Sequence, residues 1–143
     1  MGQAVDETAA WLVTSGGNCG VMEVVGRAMA KHWADQGLMR KRCVRRPLVG
    51  IGTWGTVQGR QHLEGGQSGQ VSRLPPADTN SNDGVALEPN HTHFLLVDTK
   101  AEGRAAWGGA MALRAALVRV LGLRGSLRVL LVLQGGPRSK SRS

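Results

Sequence analysis

Trp11-Leu12-Val13-Thr14-Ser15-Gly16-Gly17-Asn18-Cys19-Gly20-Val21-Met22 decides how this chain folds. The first four residues are a short apolar run with β-branched members, which reads as a buried strand. Ser15 to Gly20 reads as a turn. Val21, Met22, Val24, Val25, Met29 and Trp33 then give an apolar face at helical spacing. Gly37 stands where a C-cap would end that helix.

Outward from this segment the pattern repeats. Residues 4–10 read as the end of an earlier helix. Pro47-Leu48-Val49-Gly50-Ile51-Gly52 reads as a second strand, with proline at its start, where a sheet tolerates it. Residues 53–90 are rich in Gly, Gln, Ser, Asn and Pro, and the loop proper is placed at 56–90. That is far longer than a usual connection, and such loops serve as lids, binding loops or disordered segments. Phe94-Leu95-Leu96-Val97-Asp98 is a third strand, and Gly103 to Gly109 a second glycine-rich turn. Met111 to Leu121 reads as a helix closed by Gly122 and Gly125. Leu127 to Leu133 is a fourth strand, stopped by Gly135-Gly136-Pro137. Apolar strands alternating with helices predict an α/β fold, with a mostly parallel sheet covered by helices on both faces. Ligands bind such sheets at the carboxyl ends of the strands. Glycine-rich segments fall there at 15–20, 52–55 and 103–109.

The chain has 143 residues, 41% of them hydrophobic and 20% charged, which suits one globular domain. Only one Phe and four Trp supply aromatic rings, so Val, Leu, Ala and Met must build the core. The net charge of +8 favours an anionic partner: a nucleotide phosphate, a nucleic acid or a membrane surface. The excess sits in Arg40 to Arg46 and in the tail 138–143. Each reads either as a nucleic-acid patch or as a solvated linker and frayed terminus. Cys19 and Cys43 make neither a disulfide framework nor a zinc pattern. No apolar run reaches the roughly 18 residues of a membrane span, and the N-terminus lacks a secretory layout. The expectation is a reducing, cytosolic setting.

The turn at residues 14–20 suits phosphate. Glycines let the backbone approach, and a helix start offers unpaired N–H groups and a positive dipole end. Its spacing is neither the dinucleotide fingerprint nor a P-loop, so a plain tight turn remains the other reading. Trp54 could stack on a base or ribose beside Gly55, or cap the core edge. Arg60 could pair with a phosphate or face solvent, and so could Arg114. His91 and His93 would share a face on a strand; a structural pair is preferred to a metal site, because no third ligand is evident. Asp98 could cap a helix or hold a ribose. No catalytic set stands out: Ser15 lacks the glycine spacing of a nucleophile elbow, and no pair of carboxylates flanks a glycine turn.

Five ordered blocks resemble the SLOG-type domain at the cytosolic N-terminus of melastatin-type TRP (TRPM) cation channels. They are Trp11 to Ala28, Gly50 to Leu63, Asn90 to Asp98, Leu113 to Leu117 and Leu131 to Pro137. The resemblance implies a Rossmann-like domain over 1–137, a basic tail at 138–143, and binding of ADP-ribose or a related nucleotide. By position it names Thr14, Gly16, Gly17, Gly20, Val21, Met22, Trp54, Gly55, Arg60 and Arg114 as ligand-binding residues. It implies other subunits or domains of a channel tetramer as partners, the cytoplasmic face of a membrane as location, and no metal or catalytic residue. Thr99-Lys100 replaces the family's Asp-Gly, and Gly109 or Ala110 replaces a family Glu. That Glu resembles the acid of nucleotide phosphoribohydrolases, so its loss weakens an enzyme reading. Family members also carry an earlier strand that this chain starts too late to contain. The chain therefore reads as a fragment with an exposed sheet edge; a phosphoribohydrolase-like enzyme and a truncated, non-binding assembly module are the alternatives.

Overall fold

The computed structural model describes residues 1–39, 45–64, 74 and 84–123. Helix α1 spans Gly2–Thr8 and strand β1 Leu12–Thr14. Helix α2 spans Gly20–Met39, strand β2 Leu48–Thr53, strand β3 His93–Val97 and helix α3 Met111–Leu123. Short 3₁₀ turns occupy Trp54–Thr56, Arg60–Leu63 and Gly103–Ala106. The three strands form one parallel sheet in the order β1-β2-β3, with Thr14 opposite Gly50 and Gly50 opposite Phe94. This is a Rossmann-like α/β arrangement.

The period-two alternation of β2 explains the layers. Leu48 packs with Val5, Leu12, Val25, Met29 and Trp33, which places α1 and α2 on one face. Val49 and Ile51 point the other way and pack with Ala110, Val13, Val97 and Leu117, which places α3 on the opposite face. Met29, Leu48 and Ile51 are fully buried, and truncating any of them to alanine costs about 2–5 kcal/mol. Gly50 and Gly52 interrupt the apolar run on the α2 face. A Cβ on Gly50 would stand 2.7 Å from the Cα of Gly16, and one on Gly52 2.9 Å from the Ser15 carbonyl oxygen. The glycines thus let the first turn lie directly on β2. Gly16 itself has φ +78°, which only glycine adopts freely.

Three expectations change. Helix α2 runs through Gly37 to Met39, because a single exposed glycine costs only about 1 kcal/mol. The end of the long loop is ordered. Gly17 and Leu87 form an antiparallel bridge, and Val57 and Val85 a parallel one. His91 and His93 do not share a strand face, since β3 starts at His93: His91 is buried and His93 exposed. The fourth strand at Leu127 to Leu133, Arg40 to Val44 of the basic stretch, residues 65–73 and 75–83 of the loop and the tail lie outside the described residues. Among the described residues β1 and β3 each have a partner strand on one side alone.

Candidate functional site

Two hollows open where β1, β2 and β3 end, and both include Val57. The first, about 230 Å³, is bounded by the first turn at Ser15, Gly17 and Cys19, by Met22 of α2, by Gly52 and Thr53 of β2, and by Trp107, Ala110 and Arg114. The second, about 400 Å³, is bounded by Trp54, Gly55, Gly59 and Arg60 and by the segment Asp98, Lys100, Ala101 and Glu102.

Charge separates them. Among the described residues Arg114 is the one charged residue of the first hollow. It rises from the first turn of α3, and its Nη2 donates to the Ile51 carbonyl at 2.7 Å. Its Nε is buried without a partner, and no carboxylate pairs with it among the described residues. Burial pulls its guanidinium down from the ordinary value, yet an arginine stays protonated at working pH. A half-buried cation is therefore left uncompensated beside a glycine turn. The second hollow holds two cations against three carboxylates: Arg60 and Lys100, with Glu64, Asp98 and Glu102. Arg60 donates to Glu102 at 2.6 Å, and Lys100 to Asp98 at 2.5 Å. The Lys100 ammonium and amide hold the Asp98 carboxyl below its usual value.

The sequence-predicted residues divide between these places. Gly17, Met22 and Arg114 bound the first hollow; Trp54, Gly55 and Arg60 bound the second. Gly55 is buried, and a Cβ there would lie 1.9 Å from the Ala101 carbonyl oxygen. Gly20 is the first residue of α2 and is exposed at φ +55°, and Val21 is 37% exposed; neither bounds a hollow. Thr14 and Gly16 lie beneath the turn: the Gly16 amide donates to Thr14 Oγ1 at 2.9 Å, and that hydroxyl meets His91 Nε2 at 2.7 Å. Asp98 turns back on Lys100 and caps no helix.

Sequence reasoning missed Trp107, 59% exposed on the first hollow. Its place in a glycine-rich turn, like that of Trp54, was the available signal. Cys19 was read only for disulfide and metal patterns, yet its thiol bounds the same hollow. Burial pushes that thiol up, with Glu23 adding to the effect, so it stays uncharged. Glu88 was missed as well. It is 1% exposed and sits three residues before His91, a spacing that could have marked the pair.

Comparison with known proteins adds to this geometry. The family described as "SLOG in TRPM" matches residues 1–140. Transient receptor potential cation channel subfamily M member-like 2 of Nematostella vectensis is 34% identical over 149 residues, covering 96% of this chain and 9% of its own length. Subfamily M member 2 of Mus musculus is 28% identical over 139 residues, covering 91% of this chain and 9% of its own. Member 6 of Homo sapiens is 32% identical over 143 residues, with 94% and 7% covered. The chain thus spans less than a tenth of the length of these relatives. No helix among the described residues is long and apolar enough to cross a membrane.

Proposed function

The chain belongs to the SLOG domain family of TRPM channels, and from that premise we propose that it is a regulatory domain that binds a nucleotide of the ADP-ribose type. The observation that carries this reading is Arg114, a cation with no carboxylate partner in a half-enclosed hollow beside the first turn. A buried charge is costly unless something opposite meets it. The first N–H groups of α2 have no intrahelical acceptor and add a positive dipole end on the same side. A phosphate seated against Gly17 and Cys19 would satisfy both. Trp107 stands at the mouth, where an aromatic face can cover a sugar or base.

The second hollow suits the rest of such a ligand. Among the described residues its ion pairs leave no free cation for a phosphate, but Trp54 and the Asp98 carboxylate offer a stacking face and a hydroxyl acceptor. The first hollow alone is smaller than the roughly 300–1,000 Å³ of a typical ligand site. The adjoining pair has room for a ligand with phosphate at one end and nucleoside at the other. An enzyme of the phosphoribohydrolase kind would need an acid in the first hollow. The buried Ala110 stands there, and among the described residues no carboxylate bounds that hollow, so we assign binding rather than catalysis.

In this reading the domain spans 1–137, works on the cytoplasmic face of a channel with other subunits as partners, and turns nucleotide binding into a conformational bias. The test is calorimetric titration of the full chain with ADP-ribose. Saturable binding supports the proposal. A chain that melts cooperatively yet binds nothing at millimolar ligand rejects it and leaves an assembly module.

A further inference from the structure

Beneath the first turn lies a buried hydrogen-bond chain that the binding reading does not use. Glu88 is 1% exposed and His91 7%. Glu88 Oε2 lies 2.7 Å from His91 Nδ1, and His91 Nε2 lies 2.7 Å from Thr14 Oγ1. The Gly16 amide donates to that same oxygen at 2.9 Å. Asn90 completes the carboxylate shell, donating from its amide to Oε2 at 3.0 Å and from Nδ2 to Oε1 at 2.6 Å. Phe94 stacks on the imidazole at 5.6 Å between centroids.

The polarity of this chain follows from its ends. A backbone N–H can only donate, so Thr14 Oγ1 accepts from Gly16. A carboxylate can only accept, so the imidazole donates from Nδ1 to Glu88. In the neutral ring Nε2 then accepts, and the Thr14 hydroxyl, holding the Gly16 N–H on one lone pair, donates to it. Every member is satisfied in this arrangement. A buried carboxylate–imidazole pair is no better for stability than apolar packing of equal volume. What it adds is direction. Glu88 is also held against α2, since a Cβ on Gly26 would lie 2.1 Å from its Oε2. Its amide donates to the Gly16 carbonyl, and the Asn18 amide donates to Ala86. One short segment therefore grips both the turn and the helix that the turn opens.

We propose that Glu88 and His91 are positioning residues: the relay from Glu88 through His91 to Thr14 sets the Gly16 peptide and so aims Gly17 and Cys19 at the bound anion. The proposal rests on the anion-binding reading of the first hollow. Glu88→Leu removes the acceptor of Nδ1, so nothing holds the ring proton there or the Thr14 hydroxyl toward Nε2, whereas Glu88→Gln keeps a carbonyl oxygen in the place of Oε2, where the Asn90 amide also donates, and preserves the direction. Thr14→Val removes the hydroxyl at constant volume, and Thr14→Ser keeps it.

The experiment uses the full chain. Long-range ¹H–¹⁵N NMR reads the His91 tautomer, amide hydrogen exchange reads Gly16, and titration with inorganic pyrophosphate reads the turn. The expected result is Nδ1–H in the wild type and in Glu88→Gln, and loss of that preference in Glu88→Leu. Gly16 exchange should be faster in Glu88→Leu and Thr14→Val but not in Thr14→Ser. Affinity should fall about fivefold in the first two, the worth of one hydrogen bond, and recover in Thr14→Ser. An Nε2–H ring in the wild type overturns the proposal, as does unchanged Gly16 exchange in Thr14→Val. Should that variant fail to fold, Glu88→Leu decides by the same readouts. If the wild type binds no pyrophosphate, the binding reading fails and aim at an anion fails with it. Tautomer and exchange then still decide whether the relay sets the turn.

Discussion

Arg114 and Arg60 are the two arginines that the family pattern marks, and the fold treats them in opposite ways. Arg114 projects into a hollow that has no acid among the described residues, bonded to one carbonyl. Arg60 enters a hollow with three carboxylates and is bound to Glu102. The same residue type is an unsatisfied cation in one place and a neutralised strut in the other. A motif therefore marks where an arginine lies but not whether its charge is free.

The strongest way to break this contrast is Arg114→Ala. Losing a hydrogen bond to a charged group costs about 1.5–3 kcal/mol, so ADP-ribose affinity should fall roughly 10- to 150-fold by calorimetry, with the melt largely kept. An unchanged affinity would put the anion elsewhere. Gly55→Ala probes the other hollow. The new methyl would meet a backbone oxygen that cannot swing aside, so the chain should lose about 1–3 kcal/mol in denaturant unfolding. A neutral result would mean that the loop after β2 yields freely.

Glu102→Gln sharpens the contrast by freeing Arg60. The pair is 74% exposed on the glutamate side, and exposed pairs are worth at most about 1 kcal/mol. Affinity should rise by no more than about fivefold; a loss would make Glu102 a ligand contact. The smallest effect concerns α1. Burial raises the Asp6 carboxyl, but hydrogen bonds from His32 and Gln36 outweigh it and the net shift is downward. A depressed folded value stabilises above the unfolded value near 4 and is lost as pH falls through the folded one. Asp6→Asn should therefore cost less than about 1 kcal/mol at pH 7, and acid melts of the two forms should converge as pH falls through the depressed folded value.

The sequence carried the strands well, because Leu12 to Thr14, Leu48 to Thr53 and His93 to Val97 are local apolar runs that a parallel sheet buries. Helix α2 was legible from its face but not its end, since propensity at Gly37 is a weak force against a packed helix. The relay was half legible: Glu88 and His91 stand three residues apart, but His91 and Thr14 are 77 positions apart, and nothing local announces that partner. The division of the site into two hollows was equally hidden, because the partner of Arg60 is Glu102, 42 residues on.

The central claim is that the phosphate end of the ligand is read by Arg114 and the first turn. It is tested most directly by titrating ADP-ribose into wild type, Arg114→Ala and Arg60→Ala side by side. The account predicts a loss at Arg114 at least about tenfold larger than at Arg60, the gap between a free charge and an already paired one. Equal losses, or a larger one at Arg60, would contradict it.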